Sequence, residues 1–178
     1  ALRKMMGGVM RWNLWLFLVR RSLYVENDIR FTEGLNMGED MMVMMKLFIC
    51  AGKVGIVHRP FYHYRQSNPE SLTKIYSQEH IIQVANNVYE VEKYVNASAY
   101  ADSLIEFIPF LKLNIKLPLL ITDDKSHYEQ WLECFPEANC YVMNNKLLPL
   151  RTRIIQWMAV KRYFILLRLY YRTVFKLV

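Results

Sequence analysis

All six glycines of this 178-residue chain lie between Gly7 and Gly55, and everything after Gly55 runs without one. A long glycine-free stretch has few places for positive φ and no entropic helix breaker, so it reads as mainly helical. Hydrophobic residues at 53% and aromatic residues at 14% exclude intrinsic disorder and supply apolar surface for one domain with a sizeable core. The glycine-bearing part mixes brief apolar runs with turns and leaves room for short strands. The expected fold class is therefore α+β, mainly helical.

Residues 12–23 read as a buried helix or a strand-turn-helix entry, followed by a polar turn at Glu26 to Asp28 and an irregular loop through Gly34 and Gly38. The spacing predicts a helix from Glu39 to Ala51, with acidic residues in its first turn and Gly52 as its stop. Met41, Met42, Val43, Met44 and Met45 make it apolar nearly all round, which requires burial. Residues 53–57 and 61–66 read as two short extended segments separated by Pro60. A boundary near Ser71 to Ser77 divides the chain into regions 1–76 and 77–178. Beyond it, Ser77 caps a helix whose core face runs Ile81, Val84, Val88, Val91 and Val95. Pro109 and Pro118 interrupt the next apolar stretch. Thr122 to Asp124 open a helix carrying Trp131, Leu132 and Phe135, which Pro136 ends, and one last helix occupies most of 150–178.

The net charge of +7 is uneven. After Glu137 come eight basic residues and no acidic one, whereas the chain up to Glu137 holds fifteen basic against sixteen acidic residues, a net of −1. On a 3.6-residue wheel Lys161, Arg168, Arg172 and Lys176 form one stripe flanked by Arg153 and Arg162, with Trp157, Phe164, Ile165 and Leu167 filling the remainder. That is the pattern of a helix lying in an anionic membrane interface. The alternative is a solvated basic face on a helix that packs into the domain. Nucleic acid is the weaker reading, since no recognised binding motif accompanies the charge, and no nucleic-acid partner is expected. Cys50, Cys134 and Cys140 form no CxxC pair and no even disulfide set, so they are expected as small buried residues in a reducing compartment. No signal peptide and no apolar run near the roughly 20 residues of a membrane span stands in the sequence. The expected location is cytoplasmic, with a peripheral place at the inner face of the membrane.

Glu39-Asp40 alone is most simply an acidic helix cap. Its surroundings carry more: Trp15, Leu18 and Arg20-Arg21-Ser22-Leu23, then Ile29-Arg30-Phe31, Glu33-Gly34 and Glu39-Asp40, and finally Tyr62-His63-Tyr64-Arg65 and Ser71-Leu72-Thr73. In order and spacing this stretch, about a third of the chain, resembles the acceptor half of family 2 glycosyltransferases of the GT-A type. Phe17 departs from the resemblance, standing where many relatives carry a lysine, and no Asp-x-Asp motif or strand-helix unit for nucleotide and metal precedes Glu39. Asp123-Asp124 lies on the wrong side of Glu39-Asp40 and reads as a helix cap.

The resemblance implies the C-terminal part of a GT-A domain followed by a helical extension, in an enzyme of inverting sugar transfer from a nucleotide-sugar donor to a glycan or other hydroxyl acceptor, in cell-surface polysaccharide synthesis. It gives Asp40 the role of base on the acceptor hydroxyl, and Glu39 that of an orienting neighbour. Trp15, Tyr62 and Tyr64 are candidates for the acceptor sugar, and Arg65 and His63 for neutralising the departing diphosphate. On an extended segment Tyr62 and Tyr64 share one face, and His63 and Arg65 the other. Packing of the tyrosines in the core, with Arg65 in a surface ion pair, is the competing reading. His58 and His80 have no ligand-spaced companions and read as structural. A divalent metal, Mg or Mn, is implied for the intact enzyme, with its ligands mostly outside these residues. The chain alone is expected to be inert and to self-associate through uncovered apolar surface at 12–19 and 41–45. The rival class is a non-catalytic helical module that binds a membrane surface or a partner protein.

Overall fold

A computed structural model describes residues 1–65 and 77–175. Its helices are α1 (Leu2–Met6), α2 (Arg21–Glu26), α3 (Glu39–Cys50), α4 (Gln78–Asn96), α5 (Ala101–Leu104), α6 (Ile108–Ile115), α7 (Lys125–Glu133), α8 (Leu150–Val160) and α9 (Phe164–Tyr170), with 3₁₀ turns between several of them. The chain divides into two compact units, residues 12–101 and residues 1–11 with 102–178. The boundary expected at 71–77 lies almost wholly outside the described residues, as do Gln66 and Ser71-Leu72-Thr73.

The mainly helical expectation stands, but its β component does not: among the described residues there is no strand, and 53–57 and 61–65 run as irregular chain. A strand exists only through a ladder with a neighbour, and two brief runs split by a proline find none.

In the unit 12–101, α3 begins and ends within a residue of its expected bounds. The apolar girth of its first half is enclosed, with Met41, Met42, Val43, Met44 and Met45 all at 0–1% exposure. This helix therefore does not offer the uncovered surface expected to seek a second copy. The α4 cap forms as expected, the Ser77 hydroxyl accepting from the His80 amide at 3.2 Å. Val84, Val88, Val91 and Val95 are buried, and α4 lies along α3. Two polar residues interrupt this apolar face. Gln83 Oε1 accepts from the Asn36 amide at 3.0 Å, and Asn87 Nδ2 donates to the Met37 carbonyl at 2.8 Å. These bonds tie the loop before α3 down onto α4. Gly38 then enters α3 at φ 82, a left-handed conformation that favours glycine.

The second unit buries Met5, Met6, Tyr128 and Trp131 almost completely. Asp124 caps α7 as expected, accepting from the Ser126 amide at 2.9 Å. At the other end of α7 the last carbonyls lack helical partners; the Asn139 side-chain amide serves that of Leu132 at 3.0 Å, and buried Lys116 serves that of Trp131 together with two just past the helix. Its Nζ donates to the Trp131 carbonyl at 3.0 Å and also to the carbonyls of Cys134 and Phe135 and to Asn139 Oδ1, while lying 4.1 Å from the Trp131 ring centre.

The single last helix expected over 150–178 is broken. Arg162 sits at φ 57; its amide bonds the Ala159 carbonyl, and the Tyr163 amide bonds that of Met158, each at 2.9 Å. This is the Schellman closure of α8, with arginine where glycine is usual. Gly8, at φ 83, closes α1 in the same way through Gly8 to Met5 and Val9 to Lys4. After α9 the chain passes into a π-helical turn, Tyr171–Phe175. The continuous basic stripe of the wheel is therefore not formed: Arg162 pairs with Glu129 at 3.0 Å and Arg172 with Asp123 at 3.4 Å, and Lys176 lies outside the described residues. The cysteines also differ from expectation, since Cys50 and Cys134 are half-buried and Cys140 is exposed.

Candidate functional site

The residues singled out around Glu39-Asp40 come from three segments of the unit 12–101, and local chemistry brings several of them together. Leu14–Leu16 forms one 3₁₀ turn, whose first amide, that of Leu14, donates to Asp40 Oδ2 at 3.2 Å. The same turn presents Trp15, which stacks on Tyr62 with ring centres 5.2 Å apart and on Tyr64 at 4.9 Å. Two tyrosines spaced by two residues meeting one indole agrees with their sharing a face of the chain. They are 55% and 49% exposed, so this aromatic stack is open to solvent and not the core packing of the competing reading.

The carboxylates stand at the first turn of α3, where the helix dipole favours negative charge. Both are half-buried. Burial raises the Glu39 carboxyl above its ordinary range, and the charge of Asp40 adds to this against a lowering bond from its own amide. Tyr24 on α2 is a member of the site that the sequence reading passed over: burial and then the charge of Asp40 raise its phenol. Its sequence signal was only adjacency to the Arg20-Arg21-Ser22-Leu23 run, because the approach of α2 to α3 is a tertiary event. Phe17 packs edge-on against Phe48 of α3 at 5.5 Å, so the position that departs from the resemblance serves packing.

His63 and Arg65 are exposed, and among the described residues no ion pair holds Arg65. His58 is exposed as well, while the His80 amide completes the Ser77 cap. Among the described residues no group of three or more His, Cys, Asp or Glu is placed to hold a metal ion. Glu39 and Asp40 supply two carboxylates, one already accepting an amide, which does not by itself fit a divalent centre. Chemically the arrangement offers a carboxylate pair with acceptor positions unused among the described residues, beside an exposed aromatic stack, a combination suited to hydroxyl-bearing rings.

Over 64 residues the chain is 34% identical to EpsJ of Bacillus subtilis (strain 168), described as an uncharacterized glycosyltransferase; the match takes in 36% of this chain and 18% of that protein. The matched stretch thus spans less than a fifth of that relative's length. No family model matches the sequence, and no solved structure matches it. The similarity supports a relationship to a glycosyltransferase.

Proposed function

We propose, from that relationship, that this chain is the acceptor-side part of an inverting family 2 glycosyltransferase of the GT-A type. The observation that carries the reading is the 3₁₀ turn at Leu14–Leu16, which holds Asp40 by an amide and stacks Trp15 on Tyr62 and Tyr64. One turn thereby unites a carboxylate 26 residues further along with tyrosines 47 and 49 residues further along. Asp40 acts as the base: it takes the proton of an acceptor hydroxyl as that oxygen attacks the anomeric carbon opposite the departing nucleoside diphosphate. The Leu14 amide fixes one carboxylate oxygen and leaves the other for the acceptor. Glu39, more inclined to hold a proton, orients the acceptor oxygen from the neighbouring position. Trp15, Tyr62 and Tyr64 receive the sugar face, and Arg65 and His63 stand on the following chain to answer diphosphate charge. Nucleotide and divalent metal are assigned to the remainder of a longer chain, and no step is routed through the metal. The acceptor is a glycan or another hydroxyl compound of a cell-surface polysaccharide route, handled in the cytoplasm.

The test is Asp40→Asn in the enzyme with its donor-binding part. Turnover is expected to fall about 10²–10⁴-fold while donor affinity stays unchanged. A variant retaining more than half of wild-type turnover refutes the assignment and leaves the acidic pair as a helix cap, as in the non-catalytic module.

A further inference from the structure

The outer faces of α8 and α9 are apolar where surface helices are ordinarily polar. On α8, buried Ile155, Gln156 and Ala159 mark the inward side, and the opposite side carries Leu150, Ile154 and Trp157, all exposed. On α9, Leu167 is inward at 1% exposure, while Ile165 and Leu169 stand out at 85% and 57%. Trp157 and Tyr163 meet edge to face at 5.8 Å across the break and join the two faces. Charge here is also uneven. Glu129 and Asp123 answer Arg162 and Arg172, and Asp124 feels the field of Arg168. Arg151 and Lys161, both exposed, flank the apolar face of α8, and no acidic residue follows Glu137 in the sequence.

We propose that this α8–α9 face docks on an anionic lipid surface, with both helices lying in the plane of the interface. Lipid answers every group on the face at once. Phosphates meet Arg151 and Lys161, the acyl boundary takes Ile165 and Leu169, and Trp157 and Tyr163 sit at headgroup level, apolar body inward and polar tip in water. A second copy meeting this face symmetrically would set Arg151 and Lys161 against their own counterparts, with no acid on α8 or α9 to answer them. The docking is peripheral, since no described helix is long and apolar enough to cross a membrane. It is independent of the sugar-transfer reading and stands or falls on its own measurement.

That measurement is co-sedimentation of the full 178-residue chain with phosphatidylcholine vesicles, with and without phosphatidylglycerol. The wild-type chain is expected to sediment with the anionic vesicles and to show a blue-shifted emission that Trp157→Phe removes. Ile165→Ser with Leu169→Ser, two exposed positions whose change is expected to leave the circular dichroism unaltered, should weaken binding about tenfold or more. Arg151→Gln with Lys161→Gln should weaken it about tenfold to thirtyfold on anionic vesicles only, and added salt should mimic that loss. Equal capture by neutral vesicles, equal capture of the serine variant, or no capture of the wild type overturns the proposal. So does a solution dimer that the serine variant dissolves, which would give the face to a second copy.

Discussion

Two charged groups drawn out of bulk water, Asp40 in the unit 12–101 and Lys116 in the other, differ in how much of their bonding capacity the fold consumes. Lys116 has three ammonium hydrogens and faces four oxygens and an indole ring. Asp40 has roughly four acceptor positions and gives one to the Leu14 amide. A charge whose partners are all protein groups is part of the scaffold, because any change leaves buried acceptors unsatisfied. A charge given one bond among the described residues is oriented but still has capacity for a proton or a substrate hydroxyl.

The sharpest break of this contrast would come from Asp40→Asn. Beside its loss of turnover, the variant should lose no more stability than the roughly 0.3–1 kcal/mol of the helix-dipole interaction, since asparagine can still accept from Leu14. A large fall in melting temperature would make Asp40 a structural charge like Lys116. The converse substitution, Lys116→Met, leaves the carbonyls of Trp131, Cys134 and Phe135 without their donor. It should cost about 2–4 kcal/mol of stability in denaturant unfolding. A cost within about 0.5 kcal/mol would mean that the cage is incidental.

The pH dependence of stability tests the buried lysine further. Burial pulls the Lys116 ammonium down to about 8, against the opposing pull of Cys134 and Glu137, while the unfolded chain keeps this proton to about 10.5. Between those values the unfolded form binds more protons, so this group's contribution makes stability rise with pH, by at most about 1.4 kcal/mol per pH unit. The Cys134 thiol, raised chiefly by burial, works in the opposite sense in both proteins. The gap between wild type and Lys116→Met should therefore widen from pH 8 to 10, and parallel curves would remove the buried charge from the account. The smallest effect belongs to Arg162, whose charge matters less to the fold than its backbone. Arg162→Gly relieves a left-handed arginine and gives up an exposed ion pair, so stability should rise by less than about 1 kcal/mol. Gly8→Ala should lower it, because its Cβ would stand 2.9 Å from the Asn114 side chain at φ 83.

What was legible in the sequence was local. The acidic start of α3, the Ser77 and Asp124 caps and the valine stripe of α4 each depend on residues within a turn or two of one another. The closeness of Trp15, Tyr62 and Tyr64 was foreshadowed by the motif order, although no periodicity could pair segments so far apart. Gln83 and Asn87 were invisible because a polar residue on an apolar helix face declares no partner, and theirs lie 47 and 50 residues away. The break at Arg162 was missed because the usual mark of a left-handed stop is glycine. The strands expected at 53–57 and 61–66 needed a ladder that the chain's own alternation could not guarantee.

The enclosure of α3 also gives this protein an internal record of its own opening. Met41, Met42, Met44 and Met45 are sealed from solvent, so a peroxide reaches their thioethers only when the helix carrying Asp40 leaves its packing. Each sulfoxide then adds a polar oxygen where none can be accommodated, making repacking unfavourable. Oxidative ageing would accordingly fall first on molecules that have opened, and would retire the candidate site with the helix that bears it.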